Sequence, residues 1–152
     1  MKKLLILPLF SLLTFAGFAA SSKDEITRVL KESGVKGGFA VHLGATDGSA
    51  TAALRPGESY QVHALVTDAS ALDDLRDGIR KAAGAYGPIA ADVWKGGQLP
   101  YDDNMVNLLL IDEGTEVSQK EIIRVLNPLG KAYQRKAGQW EAIAKAWPKE
   151  ID

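Results

Sequence analysis

Apolar residues along the chain form short continuous runs separated by segments with helical spacing. The runs cover residues 39–43, 60–66, 89–94 and 105–111, and each has the length of a buried strand. The last of them is the most apolar run beyond the N-terminal region, which predicts a central strand buried on both faces. A further segment over 131–135 predicts a fifth strand.

The segments between these runs predict helices. Ser22 followed by Glu25 is a capping-box pattern, and Ile26, Val29 and Leu30 then recur at helical spacing. A short helix is predicted over 49–54. The next predicted helix carries five apolar residues on one face: Leu72, Leu75, Ile79, Ala82 and Ala83. The last predicted helix spans 117–126, with Ile122, Ile123 and Leu126 pointing inward, and residues 127–130 end it.

Alternation of strands and helices indicates an α/β fold. We predict a Rossmann-like open, mostly parallel sheet of about five strands with helices on both faces. Beyond Arg135 two interpretations stay open: Ala137-Gly138 turns a hairpin into one added antiparallel strand over 140–144, or the alanines continue as helix. Residues 147–152 are typical of a C-terminal linker, so the predicted domain spans 21–146.

The first twenty residues differ in character from the rest of the chain. Lys2 and Lys3 precede an apolar run over 4–18, and small residues stand at positions 17 and 19. The run is short for a membrane-spanning helix, although an uncleaved anchor is the alternative. We therefore predict a signal peptide over 1–20, export to the periplasm or the extracellular space, and no membrane attachment after cleavage.

Composition narrows the classes of function. The chain has 152 residues, 46% of them apolar and 24% charged, as expected of one globular domain. Removing residues 1–20 leaves 16 of the 18 basic residues against 19 acidic ones, a net charge of -3, which predicts no nucleic-acid partner. Cysteine is absent, and His42 and His63 are too isolated to suggest a metal site, so we predict no metal.

The turn after the first strand is the strongest candidate for a functional site. Residues 39–48 read Phe-Ala-Val-His-Leu-Gly-Ala-Thr-Asp-Gly, an apolar run that ends at one glycine and soon meets another. Such a turn can place a helix N-terminus against a ligand at the carboxyl ends of parallel strands. The full Gly-x-Gly-x-x-Gly fingerprint is absent, which disfavours a dinucleotide-dependent oxidoreductase.

Three segments together resemble the class I S-adenosylmethionine-dependent methyltransferases, and they occur in the order and spacing of that family. They are residues 41–48, 99–109 and 121–130. The signal peptide, the Gly-Val-Lys-Gly-Gly sequence at 34–38 and the Pro-Lys-Glu-Ile-Asp ending also resemble the N-terminal module of exported bacterial proteins that continue into a PQQ-type β-propeller. The resemblance implies S-adenosylmethionine as a small-molecule adenosyl ligand, and a β-propeller or another protein as partner.

The cofactor-binding motifs of that family fall on six positions of this chain: His42, Gly44, Thr46, Gly48, Asp68 and Asp92. The resemblance implies that Asp92 lies near the adenine amine and that Asp68 can substitute for the ribose-binding acid. No catalytic residue is singled out, because methyl transfer from a sulfonium needs mainly in-line positioning.

Several positions depart from the pattern of the family. His42 replaces an acid, Thr46 replaces the second glycine, Val66 replaces the ribose-binding acid, and Asn107 replaces the acid at the start of the fourth strand. Losing a ribose carboxylate costs about 1.5 to 3 kcal/mol, or roughly one to two decades in affinity. The sequence therefore predicts a methyltransferase-like domain with weak or lost activity, and the alternative is a non-catalytic protein-interaction module.

An acidic cluster follows the most apolar strand. Asp112, Glu113 and Glu116 lie where methyltransferases place acceptor-side residues. Carboxylates that precede a helix also stabilise its N-terminus, and we favour this second interpretation.

Overall fold

The computed structural model describes residues 20–84 and 87–144. The predicted signal peptide over 1–20, apart from Ala20, and the predicted linker over 147–152 lie outside these residues and stay predictions. Within the described ranges, every helix is too short or too polar to cross a membrane.

Six strands of the described residues form one sheet in the order β3-β2-β1-β4-β5-β6. Neighbouring strands are parallel except for β5 and β6, which form an antiparallel hairpin. This confirms the predicted mostly parallel α/β fold and selects the hairpin for the segment after Arg135. The strands are β1 (Gly38–Leu43), β2 (Tyr60–Val66), β3 (Ile89–Val93), β4 (Val106–Ile111), β5 (Leu126–Lys136) and β6 (Gln139–Ile143).

Helices cover both faces of this sheet. The structure has α1 (Lys23–Ser33), α2 (Gly48–Ala52), α3 (Leu72–Ala83) and α4 (Gln119–Val125), with a short 3-10 turn over Ala69–Ala71. Side chains alternate along each strand, so Ala40 and Leu108 face the core under α1, α2 and α3. Val41 and Leu109 point the other way, into a second core formed with α4.

The predicted capping box of α1 is confirmed. The Ser22 hydroxyl accepts a hydrogen bond from the Glu25 amide, and the Glu25 carboxylate accepts one from the Ser22 amide at 2.7 Å. The same carboxylate lies 3.3 Å from the Arg135 guanidinium on β5. The start of α1 is therefore fastened to the sheet as well as capped.

Two local predictions are wrong. Ala82 and Ala83 are exposed, because the last turn of α3 borders an open groove instead of the core. Residues 127–130 were predicted to separate α4 from the fifth strand, but β5 already begins at Leu126. Val106 of β4 pairs with Leu126 and Leu108 pairs with Lys131, so residues 127–130 are extra residues between two paired positions. The segment that the sequence assigned to a helix stop is thus a bulge within β5.

Candidate functional site

The turn after β1 is shaped by a close approach between two segments. Gly44 has φ +78°, and its amide donates to the Leu65 carbonyl at 2.8 Å. A Cβ on Gly44 would overlap Thr115 Oγ1, which lies on the segment after β4. Thr115 is itself buried, so this segment covers the turn. Gly44 is therefore required by the covering segment as well as by its left-handed backbone.

Gly48 serves helix packing. A Cβ there would lie 2.3 Å from the Ile79 amide nitrogen and 2.6 Å from the Gly78 Cα, both on α3. Gly48 thus lets α2 lie directly against α3, and its backbone faces a helix instead of an open cleft.

The remaining polar residues of the turn differ in their roles. Thr46 is exposed. Among the described residues, positive φ at a non-glycine residue occurs at Asn104 and Ala137, so the backbone of Thr46 does not require glycine. Asp47 caps α2, because its Oδ1 accepts from the amides of Ser49 at 2.7 Å and Ala50 at 3.1 Å. These helix-terminal amides already have an acceptor within the chain.

His42 lies in a buried hydrogen-bond network. Its side chain is 0% exposed; its Nε2 lies 3.0 Å from Asp112 Oδ2, and its Nδ1 lies 2.9 Å from Thr51 Oγ1. Nε2 donates to the Asp112 carboxylate, and Nδ1 shares a hydrogen bond with the Thr51 hydroxyl. The Ser21 hydroxyl donates to Asp112 Oδ1 at 2.5 Å, and Ser21 is 1% exposed. The sequence places His42 at the mouth of a cofactor site, whereas the structure buries it.

Asp112 stays charged in this network. Burial alone would raise its pKa, but hydrogen bonds and charge from His42, the hydrogen bond from Ser21 and the charge of Arg135 outweigh burial. The pKa of Asp112 is therefore held below its usual value. The carboxyl ends of β1 and β4 carry a satisfied, internally bonded group at the point where ligands bind in open α/β sheets.

The end of β2 offers little to a ribose. Val66 is 1% exposed and belongs to the core under α1, α2 and α3. Asp68 is exposed and caps the 3-10 turn, accepting from the Ser70 amide at 2.9 Å. That backbone hydrogen bond, together with the Ser70 side chain, holds the pKa of Asp68 below its usual value.

Asp92 belongs to a separate polar cluster on β2 and β3. Its Oδ2 lies 2.9 Å from His63 Nε2, and its Oδ1 lies 3.3 Å from the Arg76 guanidinium. The Tyr101 hydroxyl lies 2.9 Å from His63 Nδ1. Burial, reinforced by the charge of Asp92, raises the pKa of Tyr101. Asp92 is thus paired within the chain, and the structure joins it to none of the other five predicted site residues.

The acidic cluster after β4 differs from its sequence interpretation. Asp112 bonds His42 and Ser21, and Glu113 accepts from the Ala137 amide at 2.7 Å in the β5–β6 turn. The cap of α4 is Ser118. The link between His42 and Asp112 was not predicted from the sequence, because it depends on β1 and β4 being parallel neighbours that end together.

No group of three or more His, Asp or Glu side chains within 20–84 and 87–144 is placed to hold a metal ion. The two histidines lie in different clusters, each with one aspartate.

Comparisons with known proteins add a fold relationship. No protein-family model and no curated protein sequence matches the chain. Among solved structures, it is similar to a Methanococcus maripaludis protein assigned as an S-adenosylmethionine-dependent methyltransferase, with 18% identity, a TM-score of 0.60, and coverage of 72% of this chain and 52% of that one.

Two other structures show the same likeness. Geranyl diphosphate C-methyltransferase from Streptomyces coelicolor, solved with S-adenosylhomocysteine, has 16% identity and a TM-score of 0.57, over 71% of this chain and 44% of that one. The [4+2]-cyclase SpnF has 21% identity and a TM-score of 0.61, over 76% and 47%. The chain spans about half the length of these proteins. It therefore has a Rossmann-like methyltransferase fold.

Proposed function

We propose that this chain is a methyltransferase-fold domain of an exported protein in which S-adenosylmethionine binding is weak or lost. The observation that carries the proposal is the sealed turn after β1, where Ser21, Asp112 and His42 are bonded to one another and buried. An adenosyl ligand at this end of the sheet would compete with those internal contacts.

The residues that would hold the cofactor fit it poorly. Val66 has no acceptor in its side chain, Asp68 is engaged as a cap, and Asp92 is paired with His63 and Arg76. Hydrogen bonds to a charged group contribute about 1.5 to 3 kcal/mol, so losing the ribose carboxylate alone weakens binding by roughly one to two decades. We therefore derive no methyl-transfer step.

Export supports the same conclusion independently. S-adenosylmethionine is made and kept in the cytoplasm, so an exported domain would meet little of it. Recovery of the mature protein from the periplasm or medium, with an N-terminus near residue 20, checks this part of the proposal. Recovery of the intact chain from the cytoplasm would contradict it.

Calorimetric titration of S-adenosylmethionine and S-adenosylhomocysteine into the purified protein tests ligand binding. We expect no saturable binding below roughly 1 mM. Thr46 is exposed, so Thr46→Gly and Thr46→Glu form a matched pair that opens or obstructs the turn without disturbing the core. Micromolar binding that Thr46→Gly strengthens and Thr46→Glu removes would contradict the proposal. Gly44→Ala is an unsuitable control, because its Cβ would overlap Thr115.

A non-catalytic protein-interaction module is the second candidate. It is favoured by Leu129, a large apolar side chain that is 87% exposed and borders a cavity of about 550 Å³ lined in part by Tyr133 and Ile143. The partner suggested by the sequence resemblance is a PQQ-type β-propeller. Sedimentation velocity of a mixture of the protein with such a propeller checks this candidate. If the two proteins sediment separately at micromolar concentration, the candidate is contradicted.

A further inference from the structure

The bulge of β5 projects a single apolar side chain. Pairing with β4 jumps from Leu126 to Lys131, so residues 127–130 leave the ladder. Leu129 in this bulge is 87% exposed. One exposed leucine alone would carry no argument, since isolated apolar residues are common on protein surfaces. Leu129 gains significance from the fixed backbone beneath it and the hollow beside it.

The bulge is held tightly by its neighbours. Gly130 is buried, and a Cβ there would lie 2.8 Å from the Val106 carbonyl oxygen and 3.1 Å from that of Asn127. Backbone therefore lies directly against backbone at the base of the bulge. A side chain presented from such a fixed base loses little freedom when it binds a partner.

A hollow lies beside Leu129. This cavity has a volume of about 550 Å³, and Tyr133, Ala142 and Ile143 form part of its apolar wall. Glu32 and Lys131, which carry opposite charges, also line it. Leu129 lines this hollow and also lines a smaller cavity of about 260 Å³.

We propose that this face is the interface of a two-fold symmetric dimer, in which Leu129 of each copy enters the hollow of the other. A two-fold interface must be self-complementary, so that residue i meets residue j and residue j meets residue i. A projection adjacent to a hollow satisfies this condition. Glu32 and Lys131 satisfy it again, because each meets the opposite charge across the axis. The dimer goes beyond the proposed function and does not depend on ligand binding.

Sedimentation velocity over a range of protein concentrations tests the proposal. We expect a monomer–dimer equilibrium that Leu129→Lys weakens by about tenfold or more. Met105→Lys is the matched control, because Met105 is the other large hydrophobic residue that is exposed among the described residues, at 48%. Both sites are on the surface, so circular dichroism should show an unchanged fold.

Charge exchange tests the two-fold arrangement itself. Glu32→Lys and Lys131→Glu should each weaken the dimer, and an equal mixture of the two variants should restore association, since opposite charges then face each other at both contacts. A protein that stays monomeric at every concentration overturns the proposal. This holds also if residues 145–152 or another protein cover the hollow instead. A dimer that Leu129→Lys does not weaken, or variants that do not recover on mixing, also overturns it.

Discussion

Two histidine–aspartate pairs lie on opposite faces of the sheet, and they differ in burial. His42 and Asp112 have side chains 0% and 6% exposed, with 3.0 Å between Nε2 and Oδ2. His63 and Asp92 meet at 2.9 Å, but their side chains are 18% and 61% exposed. The same two groups thus interact at nearly the same distance in a buried pair and in a solvent-exposed pair.

The difference separates a structural pair from a surface pair. Removing His42 would leave the buried Asp112 carboxylate without the Nε2 donor, whereas water can replace a partner at the surface. The buried pair also joins β1 to the segment that closes the candidate site, and the exposed pair joins only β2 to β3. The residues that close the candidate site are therefore expected to matter for stability.

The largest effect should come from breaking the buried pair. His42→Ala leaves the Asp112 carboxylate without its main donor in a dry site, so we expect the free energy of unfolding to fall by about 3 to 5 kcal/mol. His63→Ala is the matched control, with an expected loss of about 1 kcal/mol. Urea unfolding of both variants checks the comparison, and equal losses would refute it.

Gly44→Ala probes the covering segment directly. The left-handed backbone at φ +78° and the overlap with Thr115 should together lower the free energy of unfolding by about 2 to 4 kcal/mol. Gly34→Ala is the control, because Gly34 has φ +69° with no atom within 4 Å of an added Cβ. Its expected loss is about 1 to 2 kcal/mol, from backbone strain alone. If the two losses were the same, Thr115 would not press on the turn.

Acid should weaken the buried pair by a smaller amount, since no atom is removed. The pKa of Asp112 is lowered in the folded state, so the unfolded chain binds a proton at higher pH than the folded chain does. Stability from this group is therefore present above the usual aspartate pKa of about 3.9 and is lost as pH falls through the lower folded value. Urea unfolding between pH 6 and pH 3 measures the slope, which Asp112→Asn should reduce; an unchanged slope would contradict this role.

The smallest effect should come from the exposed pair. Asp92→Asn removes the charge that faces His63 and Arg76, and we expect a loss of at most about 1 kcal/mol that shrinks further at high salt. Thermal unfolding at low and high ionic strength checks this result. A loss above about 2 kcal/mol would mean that the cluster is as structural as the buried one.

Local patterns in the sequence predicted most of the fold. The apolar run at 60–66 is β2 without change, and Ser22 and Glu25 form the expected capping box. Both signals are short-range, because strand length and helix capping depend on residues close in sequence. The bulge at 127–130 was missed, since a proline and a glycine after a helix indicate a stop whether or not a strand follows directly.

The candidate site was predicted less well, because its contacts are distant in sequence. Gly44 and Thr46 were found from the turn pattern, but the partner of His42 is Asp112, which follows the end of another strand, β4. Ser21 lies farther still from Asp112, at a separation of 91 residues. Such contacts depend on strand order, and a single sequence with alternating elements does not specify which strands become neighbours.

Chemical modification of the two histidines tests most directly whether the turn after β1 is sealed. Diethyl pyrocarbonate acylates accessible imidazole nitrogens, and peptide mass mapping distinguishes His42 from His63. We predict modification of His63 in the folded protein and modification of His42 only after unfolding, because their side chains are 18% and 0% exposed. Equal reactivity of both histidines in the folded protein would show that the turn is open, and would contradict this account of the site.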